Sequence, residues 1–306
     1  MALGCIPDLH LNCHNIAYRQ NIETHAEPAQ ALHRGVRSRL SHRFAPMSAS
    51  KTTVHPFLDG MPFIAMAHRG GAAEHPENSY SAFKHAVDLG YAYIETDVRC
   101  TRDDVVMIHH DPTLGRTLSG DGLVQSRSWK SISAMEHTNG DNPMRLTDAL
   151  EAFPDTRFNI DCKDDRTLLR LVPTLEALGP AVLERICLAS FEDRRVAAIQ
   201  RHFGRKVATS AGQREVAAWW RSSYGMRKVV RTRAIAAQVP LRKYGLNVLS
   251  NRFLATAARL GCQVHAWTID DRATMERLID HGVHGIMTDR PTVLREVLRK
   301  RGLWHQ

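Results

Sequence analysis

Nowhere in the 306 residues do about eighteen apolar side chains run together, so no segment is expected to cross a bilayer as a helix. The amino terminus lacks the basic start and apolar stretch of a secretory signal. The six cysteines (Cys5, Cys13, Cys100, Cys162, Cys187, Cys262) contain no C-x-x-C pair, and their scatter suits free thiols in a reducing compartment. A cytoplasmic protein is therefore expected. No G-x-G-x-x-G follows the first strand-like run and no G-x-x-x-x-G-K-[ST] occurs, which removes the dinucleotide and P-loop readings. Acidic residues are in short supply, 32 against 41 Lys and Arg, giving a net charge of +9 and a pI near 9.5. That balance favours an anionic partner: nucleic acid, a membrane surface or a phosphorylated small molecule. Nucleic acid is not expected, because no helix-turn-helix, zinc-finger or RNA-binding signature is present.

What is there begins with 43% hydrophobic residues, too many for a disordered chain, in a length that builds one α/β barrel or two ordinary domains. Residues 1–60 mix histidines, arginines and single apolar residues without periodicity and read as an irregular extension, with Met47 a second reading for the start of the compact protein. Cys5, His10, Cys13 and His14 are zinc-ligand types, but their spacing matches no common module and an unstructured tail is the simpler reading. From Phe63 onward, β-rich runs near 63–68, 91–98, 105–109, 157–162, 185–190, 206–209, 234–239, 262–267 and 284–288 alternate with amphipathic stretches. Of the latter, TLLRLVPTLEALG, DRRVAAIQRHFG and TMERLIDHG close on glycine, as helices tend to. About eight such units over residues 61–306 predict a (β/α)8 TIM barrel rather than an open sheet.

In such a barrel, chemistry belongs at the carboxyl-terminal ends of the strands. The first run ends in His68-Arg69-Gly70-Gly71, followed by HPEN. The second, YAYIETDV, places Glu95 and Asp97 two residues apart and so on one face. Two inward carboxylates repel unless a proton or a cation intervenes, and oxygen ligands favour Mg2+ or Ca2+. The run VVMIHHDP offers His109 and His110 on opposite faces. We favour His110 as the inward one and His109 as packing. Asp161 and Lys163 share a face of FNIDCKDD, and Trp267 ends VHAWTID. Bland readings stand beside each: a structural His68, a solvated E-x-D face, an Asp161–Lys163 ion pair, a core Trp267. Their joint occurrence at successive strand ends is what independent accidents rarely produce.

These residues also carry a resemblance. HRGG with PENSYSAFKHAVDLG, then YIETDV, TRDDVVMIHHDPTLGRT, AWTID and GIMTDRP, in that order over about residues 62–300, resemble the glycerophosphodiester phosphodiesterase family. The resemblance implies a TIM-barrel enzyme that uses one divalent cation, Mg2+ or Ca2+. It further implies acid/base roles for His68 and His110, metal ligation by Glu95, Asp97 and Asp161, phosphate binding by Arg69 and Lys163, and a substrate wall at Trp267. The chain departs from the family in having Asp161 where glutamate is usual and PENS where PENT is commoner, and the segment after the HD motif reads as short. Asp161-x-Lys163 also resembles the related sphingomyelinase D branch.

The resemblance implies hydrolysis of a glycerophosphodiester to glycerol 3-phosphate and an alcohol, and suggests a cyclic phosphate formed by the neighbouring glycerol hydroxyl. The alternative is a lysophospholipase D or sphingomyelinase D-like lipid phosphodiesterase. A non-catalytic anion or nucleic-acid binder is the third reading, against which the intact set of side chains argues. Residues 194–233 hold eleven Lys or Arg and one acidic residue, so the surplus charge is local. That stretch, with Trp219 and Trp220, suits peripheral membrane contact or, more simply, a barrel helix with one packed and one solvated face.

Overall fold

Helices and strands alternate along the chain because the apolar pattern does, and each boundary has its own chemistry. Ser79, Asp164 and Asp271 each accept a backbone N–H three residues on, from Ala82, Thr167 and Thr274, and so begin the helices Tyr80–Asp88, Asp165–Leu178 and Arg272–His281. Gly282, at φ +86°, ends the last of these. The computed structural model describes residues 55–304 apart from 59 and 227–230. Residues 1–54, which include the Cys5, His10, Cys13 and His14 group, Met47 and most of the expected extension, lie outside the described residues.

Eight of the nine expected strand runs build one parallel sheet: Ile64–His68, Tyr93–Cys100, Arg157–Cys162, Ile186–Ala189, Ala208–Thr209, Ala236–Val239, Gln263–Ala266 and Gly285–Thr288. Neighbours in sequence are neighbours in the sheet, and the first strand pairs with the last through Ile64↔Gly285 and Ala65↔Ile286. Between the fifth and sixth, a single parallel bridge, Ser210↔Ala236, closes the ring. The result is the expected α/β barrel, whose helices shield the outer faces of the strands. The ninth run differs. Val106–Ile108 is antiparallel to the second strand and stands off the barrel wall, because that strand outruns the rim and folds back through a turn at Asp104, φ +67°. His109 and His110 thus arrive on a hairpin over the rim.

Alternation divides the apolar side chains. Ile94, Phe158, Ile160, Leu188, Val264 and Ile286 pack against the helices, whereas Ile64, Met66, Tyr93, Cys187, Ala208 and Met287 cluster together inside the barrel. Residues 55–58 plug the floor: Phe57 is fully buried, packs edge-on to Tyr93 at 5.2 Å and accepts its hydroxyl proton at 2.7 Å. They belong to the barrel rather than to the extension in which sequence placed them. The segment after the HD motif carries a small core of its own, in which Leu114, Leu118, Val124 and Ile132 pack with Met107.

The basic stretch resolves into unlike parts. Trp219 is buried while Trp220 reaches the cavity at the rim, and Arg195 is buried between Ser190 and Asp165. No helix of the described residues is long and apolar enough to cross a membrane.

Gly285 shows how tightly first and last strands meet. A Cβ there would fall 2.7 Å from the Ile64 carbonyl oxygen and 2.8 Å from Ile64 Cβ. Gly285→Ala is expected to destabilise by roughly 1–3 kcal/mol, as overpacking does. Thermal unfolding by circular dichroism checks this, and an unchanged midpoint contradicts it.

Candidate active site

The polar rim is built by three segments that the fold forces together. Gly70 and Gly71 carry φ of +84° and +106°, and a Cβ on either would strike Phe83 or Pro291 at 2.7 Å. HRGG can therefore lie flat against the first helix and the GIMTDRP turn. Asn78, at φ +58°, donates its backbone N–H to the Arg69 carbonyl at 2.9 Å and so closes the loop from His68 to HPEN. Its side chain accepts from Thr96 Oγ1 at 2.7 Å and donates to Asp97 Oδ2 at 3.1 Å.

Three carboxylates converge beneath that loop, and all are buried: Glu95, Asp97 and Asp161. Asp97 and Asp161 are register partners on adjacent strands. Lys163 Nζ sits between them, 2.6 Å from Asp97 Oδ1 and 2.7 Å from Asp161 Oδ2. Arg69 reaches Glu77 Oε1 at 3.0 Å and brings Nε to 3.1 Å from Asp97 Oδ2, while its backbone N–H donates to Glu95 Oε2 at 3.2 Å. Burial disfavours charge on Asp97, but Lys163, Arg69 and His110 overcome it and draw its pKa down to about 2. Glu95 goes the other way. Burial, together with the charge of Asp97, pushes it up to about 7 despite His68, Lys163 and Arg69. Asp161 is raised as well, chiefly by burial, and its Oδ1 is buried with no hydrogen-bond partner.

The two histidines have matching supports and opposite electrostatics. His68 Nδ1 donates to Asp289 Oδ1 at 2.7 Å, and its Nε2 lies 3.7 Å from Glu95 Oε2. Asp289 is aimed by Asp270, which accepts from its backbone N–H at 2.8 Å and from Thr288 Oγ1 at 3.0 Å. Burial lowers the His68 pKa, but Glu95 and Asp289 outweigh it and the net shift is upward. His110 Nδ1 donates to Asp111 Oδ1 at 2.7 Å. There burial dominates; Asp97 raises the value, Lys163 and Arg69 lower it, and the net shift is downward. Asp111 is pinned by Arg116, which also grips Glu77 at 2.7 and 2.8 Å. His109 is buried and donates from Nε2 to the Thr113 carbonyl at 2.9 Å, a packing role.

All eight residues singled out from sequence, His68, Arg69, Glu95, Asp97, His110, Asp161, Lys163 and Trp267, line one cavity of about 820 Å³ at the carboxyl-terminal rim. Sequence reasoning missed Glu77, Asn78, Arg116 and Asp289, although HPEN, TLGRT and GIMTDRP contain them. It also missed the Asn159–Gln238 amide pair, 2.7 Å apart, on the cavity wall. Phe191, Val216, Trp220, Tyr244, Leu246 and Trp267 give the same cavity apolar wall as well as polar. Trp267 meets Phe191 edge-on at 5.9 Å.

Among the described residues no group of three or more histidine, cysteine or carboxylate side chains stands arranged to hold a metal ion. Lys163 is wedged between two of the expected ligands. The donor set is nevertheless that of a hard cation: three buried carboxylates, one held up near neutrality and one with an orphaned oxygen.

The sequence profile of the glycerophosphoryl diester phosphodiesterase family matches residues 68–293. A probable glycerophosphodiester phosphodiesterase 2 of Mycobacterium tuberculosis is 37% identical over 79% of this chain and 92% of its own length. A human lysophospholipase D is 25% identical over 76% of this chain and 85% of its own. An Oleispira antarctica phosphodiesterase, solved with the product sn-glycerol-3-phosphate, superposes with a TM-score of 0.64 at 20% identity, covering 77% of this chain and 96% of that one.

In an NMR pH titration, His68 is expected to titrate above the ordinary value of 6.5 and His110 below it. Asp289→Asn removes a negative charge from His68 and should move its titration to lower pH while leaving that of His110 in place. Coincident titrations, or no movement in Asp289→Asn, contradict the assignment.

Proposed function

The chain belongs to the glycerophosphoryl diester phosphodiesterase family, and on that premise we propose that it hydrolyses glycerophosphodiesters to glycerol 3-phosphate and an alcohol at the rim cavity. The observation that carries the site assignment is the pair of histidines lining one cavity, each braced by its own aspartate, with pKa values displaced in opposite directions.

The displacement, with the Asp289 and Asp111 supports, favours one division of roles. His110, neutral and with Nδ1–H held by Asp111, presents its Nε2 lone pair as the base. It takes the proton of the glycerol hydroxyl next to the phosphate, and that oxygen attacks phosphorus. The P–O bond to the head group breaks, and His68, protonated, gives its proton to the departing alkoxide. In the second half, water opens the cyclic phosphate: His68 takes its proton, and His110 returns one to the ring oxygen. Arg69 and Lys163 face the phosphate from beneath. Both are partly committed to carboxylates, so they balance charge as well as bind it.

The family works with a divalent cation. Here Glu95, Asp97 and Asp161 would hold it, Mg2+ or Ca2+. Once bound, it would neutralise non-bridging oxygens of the phosphate. The described cysteines are buried and free, with Cys162 and Cys262 pushed up to about 12 by burial, which fits inert thiols in the cytoplasm.

A second reading, a single-chain lysophospholipid as substrate, is favoured by the apolar part of the cavity lining, which a small polar diester does not need. Contact with a membrane through the basic region 194–233 belongs with it.

A product assay on glycerophosphocholine and lysophosphatidylcholine, with Mg2+, Ca2+ or chelator, separates the substrates and tests the metal. His68→Ala and His110→Ala should each lower kcat by about 10²–10⁴-fold with folding intact. The pH profile should fall off below 6.5 as His110 protonates and above it as His68 deprotonates. Near-wild-type turnover in either variant removes the acid/base pair, and full activity in excess chelator removes the metal.

A further inference from the structure

Residues 216–269 contain nine Lys or Arg and no Asp or Glu, an interval that begins just after Glu215 and ends at Asp270. Within it, a two-stranded hairpin pairs Arg242–Lys243 with Leu246–Asn247 outside the barrel sheet. Its turn residues, Tyr244 and Gly245, have φ of +52° and +77°. A left-handed conformation is costly for tyrosine, yet here it sets the ring at the tip, 92% exposed. Leu246 beside it is 53% exposed.

The hairpin does not stand alone. Lys243 Nζ donates to Gln213 Oε1 at 2.9 Å and Trp220 Nε1 to the Asn247 carbonyl at 3.2 Å, which fasten it to the helix Gln213–Ser223. Just past that helix, Tyr224 and Met226 are 42% and 62% exposed, and the Arg252 guanidinium lies 5.4 Å from the Tyr224 ring. Four large apolar or aromatic side chains thus project among arginines and lysines, and two of them, Tyr244 and Leu246, also line the rim cavity beside Trp220.

We infer that the Arg242–Asn247 hairpin and the end of the Gln213–Ser223 helix form a docking edge for an anionic lipid surface. The charge complements acidic head groups, and the projecting Tyr244, Leu246 and Met226 supply what a membrane interface rewards: apolar tips carried between cationic stems. A nucleic acid would use the charge but gain little from an exposed leucine and methionine. The hairpin is outside the barrel sheet but shares Tyr244 and Leu246 with the cavity wall. The inference deepens the lipid-substrate reading of that cavity, and vesicle binding is measured apart from turnover, so that the two can fail separately.

The test is cosedimentation of the full chain with phosphatidylcholine vesicles, with and without phosphatidylglycerol, over a series of salt concentrations. Wild type should sediment with the anionic vesicles, less so as salt rises, and remain in the supernatant with phosphatidylcholine alone. Arg242→Glu combined with Met226→Ser, both outside the cavity lining, should weaken sedimentation about tenfold while turnover of soluble glycerophosphocholine stays at the wild-type level. Tyr244→Ser with Leu246→Ser should weaken it as well. Failure of wild type to sediment, or wild-type sedimentation of either double variant, overturns the inference. So does tight, salt-sensitive binding of duplex DNA or RNA without binding to anionic vesicles.

Discussion

Asp97 has to stay ionised where only 1% of it meets solvent, and the rest of the rim is arranged around that requirement. A buried carboxylate costs several kcal/mol unless paired and hydrogen-bonded. Its partners are drawn from three separate stretches: Lys163 from the end of the third barrel strand, Arg69 from the HRGG loop, and Asn78 from the HPEN turn. Satisfying one anion therefore fixes one strand and two loops in mutual position. The cost reappears two residues earlier, where Glu95 is driven towards the protonated form, and across the strand pair, where one Asp161 oxygen is left without a partner. A site with more carboxylate than cation is primed for a positive charge.

The same electrostatics separates the histidines. Burial works against the charge of His68 too, but Glu95 and Asp289 outweigh that and it gains proton affinity; His110 loses it to burial, with Lys163 and Arg69 adding to the loss. Neither residue's own sequence context distinguishes it. The difference comes from which strand end each meets, and in the case of His68 it depends on the last strand, whose aspartate is aimed by Asp270.

How much of this was legible in the sequence follows from the range of each interaction. Strand positions, glycine-terminated helices and the E-x-D face are local periodicities, and the barrel displays them at the expected residues. The eight side chains expected at the site needed only the rule that strands present their ends to one rim. What escaped was relational. Asp289 lies 221 residues from His68, and nothing in GIMTDRP says which imidazole it holds. Glu77 and Arg116 matter because they pin Arg69 and Asp111, a dependence visible only once the loops are placed. The antiparallel course of Val106–Ile108 was hidden too, since a strand pattern does not announce its direction. The paired tryptophans follow the simpler of their two readings, a helix with one packed face, except that adjacent positions on a helix face different ways, so Trp219 went into the core and Trp220 to the cavity.

The account stands or falls on the buried carboxylates being the seat of one cation. Titration calorimetry of metal-free protein with Mg2+ and with Ca2+ measures this without reference to turnover. One ion per chain is predicted for at least one of the two metals, with binding greatly weakened by Asp161→Asn in a protein that unfolds at the wild-type temperature. No binding of either ion, or binding undiminished by that substitution, would contradict it.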